Sequence, residues 1–143
     1  MFRNLFIQVC MLVMIFVAGL WVGRVTNANA AAKNRVFEIR TYTTNDGKLE
    51  GLHARFRNHT TKLFQKHGMT NIGYWSPLDP PLSQNTLIYI LAYPSREAAK
   101  KSWEDFQNDP VWKKAKEESE VNGKLVAKVD SVFMEGTDYS AMK

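Results

Sequence analysis

Cysteine is almost missing from this chain: of 143 residues, one is a cysteine, Cys10. Beyond residue 30 there is none, which excludes a disulfide framework, a thiolate metal site and a thiol nucleophile from everything downstream. Also missing are G-x-S-x-G, the P-loop, H-E-x-x-H and G-x-G-x-x-G, so the common hydrolase, nucleotide, zinc-protease and dehydrogenase signatures are absent. The three histidines, His53, His59 and His67, lie in no close carboxylate or cysteine pattern and do not read as a metal site. No cofactor motif stands out. The basic excess is small and scattered, which gives little reason to expect nucleic acid.

One long apolar run is present. MFRN supplies a basic start through Arg3, and from Leu5 to Gly23 the only polar residue is Gln8. Ala28-Asn29-Ala30 then offers an A-x-A cleavage site, which places the mature start at Ala31. The run exceeds an ordinary signal core and reaches the lower range for a membrane span. Residues 1–30 therefore read as an export signal, with an uncleaved N-terminal anchor as the alternative. Both place residues 31–143 outside the cytoplasm, as a periplasmic or secreted domain. Removing Arg3 and Arg24 lowers the formal net charge from +5 to +3.

Residues 31–143 are enough for one core without staples. Val36 to Thr43 reads as a strand ending in the turn cluster TTNDGK. A helix follows from about Lys48 to His67, with Leu49, Leu52, Phe56 and Leu63 on one stripe and Gly68 at its end. TNIGYWSP is a short strand, LDPPLSQN a proline-rich connection, and TLIYILAY (86–93) a strand apolar on both sides. Ser95 caps the next helix, whose inner stripe is Ala99, Trp103 and Phe106. Asn108-Asp109-Pro110 breaks it, and a second helical piece restarts at Pro110. KKAKEESE is a solvated helix face. Leu125 to Met134 is the last strand. The order β-α-β-β-α-β predicts a ferredoxin-like α+β fold: an antiparallel sheet with both helices on one face.

Alternation along the first strand places Phe37 and Ile39 under the helices and Glu38, Arg40 and Tyr42 on the opposite face. In the last strand, Ala127, Val129, Ser131 and Phe133 take the helix face, with Lys128 and Asp130 opposite. The third strand is apolar on both faces, which predicts that the second sheet face is covered by a partner. A second copy is the simplest one.

FEIRTYTTNDGKL, a helix ending KHG, IGYW, AYPSREA and W-x-x-F-x-x-DPVW, in that order and spacing, closely resemble the NIPSNAP family over about residues 35–139. The resemblance implies a dimeric α+β barrel in which two such sheets face each other with the helices outside. It also implies kinship with cofactor-independent monooxygenases and haem enzymes of the same superfamily, while NIPSNAP proteins themselves have no agreed catalytic activity. Beside this, the residues suggest a candidate ligand pocket of His59, Arg40, Tyr42, Trp75, Tyr89 and Trp103, and candidate dimer-interface residues Glu38, Arg40 and Asp130. The plainer readings are a core histidine at His59, an interface ion pair at Glu38 and Arg40, and core tryptophans at Trp75, Trp103 and Trp112. The function expected is binding of a small apolar or aromatic ligand or of a protein partner. A monooxygenase-type enzyme using His59 and Arg40 is the alternative, and haem binding would need a histidine open to a cavity.

Overall fold

The computed structural model describes residues 35–142. The export signal or anchor expected over residues 1–30 lies outside the described residues. Four strands form one antiparallel sheet: β1 (Val36–Thr44), β2 (Thr70–Trp75), β3 (Thr86–Tyr93) and β4 (Val126–Glu135). Their order is β2-β3-β1-β4, every neighbouring pair antiparallel. The first helical region is α1 (Leu49–Arg55), a π-helical turn (Phe56–Thr60) and α2 (Thr61–Lys66). The second is α3 (Arg96–Asn108) and α4 (Pro110–Ser119). This is the ferredoxin-like α+β arrangement that the element order predicts. Among the described residues no helix is long and apolar enough to cross a membrane.

Local signals account for the helix ends. Ser95 accepts a hydrogen bond from the Ala98 amide at 3.1 Å, as an N-cap should. Asp109 ends α3 and caps α4, accepting from the Val111 amide at 2.7 Å, with Pro110 in the first turn. The same carboxylate is buried and takes Lys66 Nζ and His67 Nε2, both at 2.7 Å, so it ties the end of α2 to the α3–α4 break. The Lys66 and His67 hydrogen bonds hold the Asp109 carboxyl well below its ordinary range. A depressed carboxyl contributes stability that is complete above the unfolded value, near pH 4, and is lost as pH falls through the folded one. Asp109→Asn, which keeps a good cap, is expected to be less stable at neutral pH and to lose less stability on acidification. Thermal melts between pH 7 and 2 measure the difference.

The core lies between the sheet and the helices: Leu52, Phe56, Leu63, Phe64, Leu87, Tyr89, Leu91, Tyr93 and Phe106 are all buried there. Tyr42, Leu49, Val126 and Phe133 pack against this cluster from its margins.

Two expectations about faces are corrected. Glu38, Arg40 and Tyr42 belong to the helix face, and Phe37, Ile39 and Thr41 to the open one. Register settles this: Glu38 lies between Leu91 and Phe133, and Arg40 between Tyr89 and Ser131. Those neighbours share the side on which Leu91 and Tyr89 are fully buried. The assignment of β4 stands, with Ser131 and Phe133 towards the helices and Lys128 and Asp130 away. His59 is the second correction: it is exposed, not on the inner stripe. The π turn is the cause. Thr60 Oγ1 and Thr61 Oγ1 donate to the carbonyls of Arg55 and Phe56, five residues back, and the Thr61 amide also reaches Phe56. This wider turn delays the phase of the helix by about one residue, so Thr60 takes the inward place that a continuous α-helix would give His59.

On the open face Ile39, Ile88, Ile90 and Val132 are uncovered or only partly covered, and Val132 is 57% exposed. Trp75 lies beside Ile88 at 50% exposure, so the expectation of a core tryptophan fails there. Its ring lies over Gly73, where a Cβ would stand 2.6 Å from it. The segment after β4 turns back over one end of this face. A cavity of about 210 Å³ lies between Phe37, Ile90 and Met134 on the sheet and Ser140 and Met142 of that segment.

Candidate functional site

Glu38 is the centre of the polar network inside the fold. Strand alternation puts it and Arg40 on one face, two residues apart, and Arg40 Nη1 donates to Glu38 Oε1 at 2.6 Å. Ser131, directly opposite Arg40 on β4, donates its hydroxyl to the same oxygen at 2.6 Å. Tyr93 from the end of β3 and Trp103 from α3 donate to Oε2 at 2.7 and 2.8 Å. A carboxylate offers about four lone-pair sites, and here each has a donor. Burial opposes ionisation of Glu38, but these bonds overcome it and hold the carboxyl below its ordinary value. A carboxylate so occupied has no acceptor left for a substrate proton. It is a poor general base.

Arg40 is placed by this network and by rings. Its guanidinium carbon lies 4.2 Å from the centre of Trp103 and 5.6 Å from that of Tyr42. Its Nε is buried without a hydrogen-bond partner. The Glu38 carboxylate beside it holds the guanidinium above its ordinary range despite its burial. Tyr89 is fully buried, with Phe56 at 5.2 Å, Tyr42 at 5.3 Å and Tyr74 at 5.5 Å between ring centres. Burial pushes its phenol well above the ordinary value. The space between the first helical region and the sheet is thus filled by aromatic side chains.

Of the residues proposed from the sequence, Arg40, Tyr42, Tyr89 and Trp103 come together on the helix face. His59 and Trp75 do not join them, and Asp130 points to the open face, where it pairs with Lys128 at 2.8 Å. Glu38 and Arg40 lie inside the subunit and are no longer candidates for the interface. His53 Nε2 lies 3.3 Å from Ser76 Oγ beside a cavity of about 370 Å³ near the α1 end. Among the described residues no group of His, Cys, Asp or Glu could hold a metal ion.

Two parts of the helix side go beyond the sequence expectations. Ser131 falls on the expected face, but its role as a Glu38 partner has no local mark, since the two are 93 residues apart. Arg55 is 5% exposed, its Nη1 donating to Ser119 at 3.2 Å and to Glu120 at 2.9 Å. It had a visible signal: an arginine three residues after Leu52, inside the apolar stripe.

The model of the NIPSNAP family matches residues 37–141. The chain belongs to the NIPSNAP family. No curated protein matches it. Among solved structures, this NIPSNAP chain is similar to a NIPSNAP family protein of unknown function from Agrobacterium tumefaciens. That likeness has 18% identity and a TM-score of 0.67 over 78% of this chain and 96% of that one. It is also similar to an uncharacterized NIPSNAP-like domain protein from Burkholderia xenovorans, with 15% identity and a TM-score of 0.65 over 76% and 90% of the two chains. A second NIPSNAP family protein from A. tumefaciens has 20% identity and a TM-score of 0.66, covering 76% of this chain and 99% of the other. At these identities the likenesses establish the fold alone, a four-stranded ferredoxin-like α+β sheet.

Proposed function

We propose that this NIPSNAP protein works by binding: an exported homodimer that pairs through its open sheet face and holds a small apolar or aromatic ligand or a protein partner. The observation that carries the reading is the open face itself. Ile39, Ile88, Ile90, Val132 and Trp75 form an apolar surface across all four strands, and the helices cover only the other side. Uncovered apolar area of this extent is costly in water and marks an interface. A second identical sheet is complementary to it under two-fold symmetry.

Catalysis is the weaker reading. Glu38 is saturated with donors, His59 lies outside the core, and aromatic rings fill the space that a closed pocket beneath the first helical region would need. Sedimentation of the 31–143 protein at micromolar concentration tests the dimer. Export rests on the leader pattern of residues 1–30. Intact mass of the protein recovered outside the cytoplasm is expected to correspond to a chain starting at Ala31, and a mass that retains residues 1–30 contradicts cleavage.

A further inference from the structure

We infer that the cleft beside β4 on the helix side is a binding site for a small organic acid with an apolar body, held by Arg55 and two lysines. This deepens the ligand-binding part of the proposed function by naming where the ligand sits and what chemistry it carries.

The cleft exists because the helix layer stops short of the edge strand. On the helix face of β4, Val129 remains 41% exposed and Ser131 is exposed as well. Between this uncovered strip and α4 lies a cavity of about 320 Å³, bordered by Tyr42, Arg55, Trp112, Lys116, Lys124 and Val129. That volume is at the small end of ligand pockets, roughly 300–1,000 Å³.

Its charge is unbalanced. Among the described residues Glu120 is the only acid on its wall, and that carboxylate already pairs with Arg55. Lys128, also on the wall, pairs with Asp130. Among the described residues, Lys116 and Lys124 have no side-chain ion-pair or hydrogen-bond partner. The surplus is positive, and its natural complement is an anion.

Arg55 supplies the directional part. An arginine with only 5% exposure is rare unless all its donors are used. Both of its hydrogen bonds come from Nη1, and its buried Nε has no partner. Nε is shut away from the cleft, whereas Nη2 makes no hydrogen bond among the described residues and is the donor left for one oxygen of an anion. Trp112, whose ring centre is 5.2 Å from the guanidinium carbon, fixes its plane in advance. The same ring, with Tyr42, Val126 and Val129, offers apolar surface to the rest of a ligand. A bare inorganic anion would leave that surface unused, whereas an acid with an aromatic or alkyl body covers it.

The test uses 4-phenylbutyrate, its neutral counterpart 4-phenylbutanol, and inorganic phosphate as probes. Isotope-labelled 31–143 protein is titrated with each while amide and methyl resonances are followed. The acid is expected to shift resonances of Trp112, Val126 and Val129, and to bind more tightly than the alcohol or phosphate. Lys116→Gln with Lys124→Gln changes only exposed positions and spares the core. It is expected to weaken the acid by roughly three- to tenfold and leave the alcohol unchanged. Arg55→Lys keeps the charge but loses the planar Nη2 donor, and is expected to weaken the acid further. Equal binding of acid and alcohol overturns the site, as does an unchanged acid affinity in the double-lysine variant. Phosphate binding as tightly as the acid overturns the apolar-body assignment. Shifts confined to another surface overturn this cleft and leave ligand binding itself standing. Sedimentation of the same sample reports self-association separately, so a failed cleft is distinguishable from a failed dimer.

Discussion

Glu38→Ala is expected to destabilise the fold by about 3–5 kcal/mol, the usual cost of removing one partner from a buried charged pair. The substitution removes the acceptor of four donors at once: Arg40, Ser131, Tyr93 and Trp103. Ser131 is exposed and can turn to water. Tyr93 is fully buried and cannot, and Arg40 would keep its charge beside Trp103 with no counter-ion. Glu38→Gln is expected to fall between the two, because the amide keeps one acceptor oxygen but presents an NH₂ group to existing donors. Urea titrations measure both, read as a change in midpoint at constant slope. A loss below about 1 kcal/mol for the alanine variant would mean that the network is worth no more than an ordinary hydrogen bond.

Val132→Glu is expected to abolish pairing while leaving the subunit folded. Val132 is 57% exposed on the open face, so a glutamate there meets water in a lone subunit and costs little. In a two-fold pair the substitution occurs twice, and each carboxylate must lose its hydration against Ile39, its cross-strand neighbour, and whatever the partner presents. A charge buried without a partner costs several kcal/mol, so the dimer Kd is expected to rise by at least about a hundredfold. Far-ultraviolet circular dichroism of the variant should match that of the parent. Lys128→Gln, at the edge of the same face, is the control and should change Kd little.

Much of the fold can be read from local chemistry. TLIYILAY coincides with β3, and the Ser95 cap and the Asp109-Pro110 break fall where residue type puts them, because each depends on neighbours a few residues away. The facing of β1 depends on distant ones. Both of its faces carry apolar and polar residues, and what makes Glu38 the inward one is three donors located 55, 65 and 93 residues along the chain. Hydropathy alone favours placing Phe37 and Ile39 under the helices; Phe37 is buried, but on the opposite face, and Ile39 only partly. Hydropathy misses that a carboxylate with every lone pair occupied can lie beneath helices, while an apolar face can be left for a partner.

The candidate site is legible to the same degree. Four of the six pocket candidates, Arg40, Tyr42, Tyr89 and Trp103, do meet, but beneath the helices and not on the face turned away from them, because the facing of β1 is the reverse of what alternation suggests. His59 was lost to the π turn, for which FRNHT carries no periodic mark: the wider turn is held by Thr60 and Thr61 bonding back to carbonyls, which threonines do in ordinary helices too. Trp75 was displaced outward by Gly73, whose missing side chain gives the indole a place on the open face.

Sedimentation velocity of the 31–143 protein across a micromolar concentration series tests the open sheet face as a self-association surface most directly. A dimer that dissociates only on dilution, and that Val132→Glu converts to a folded monomer, is the predicted result. A monomer throughout the series would contradict it.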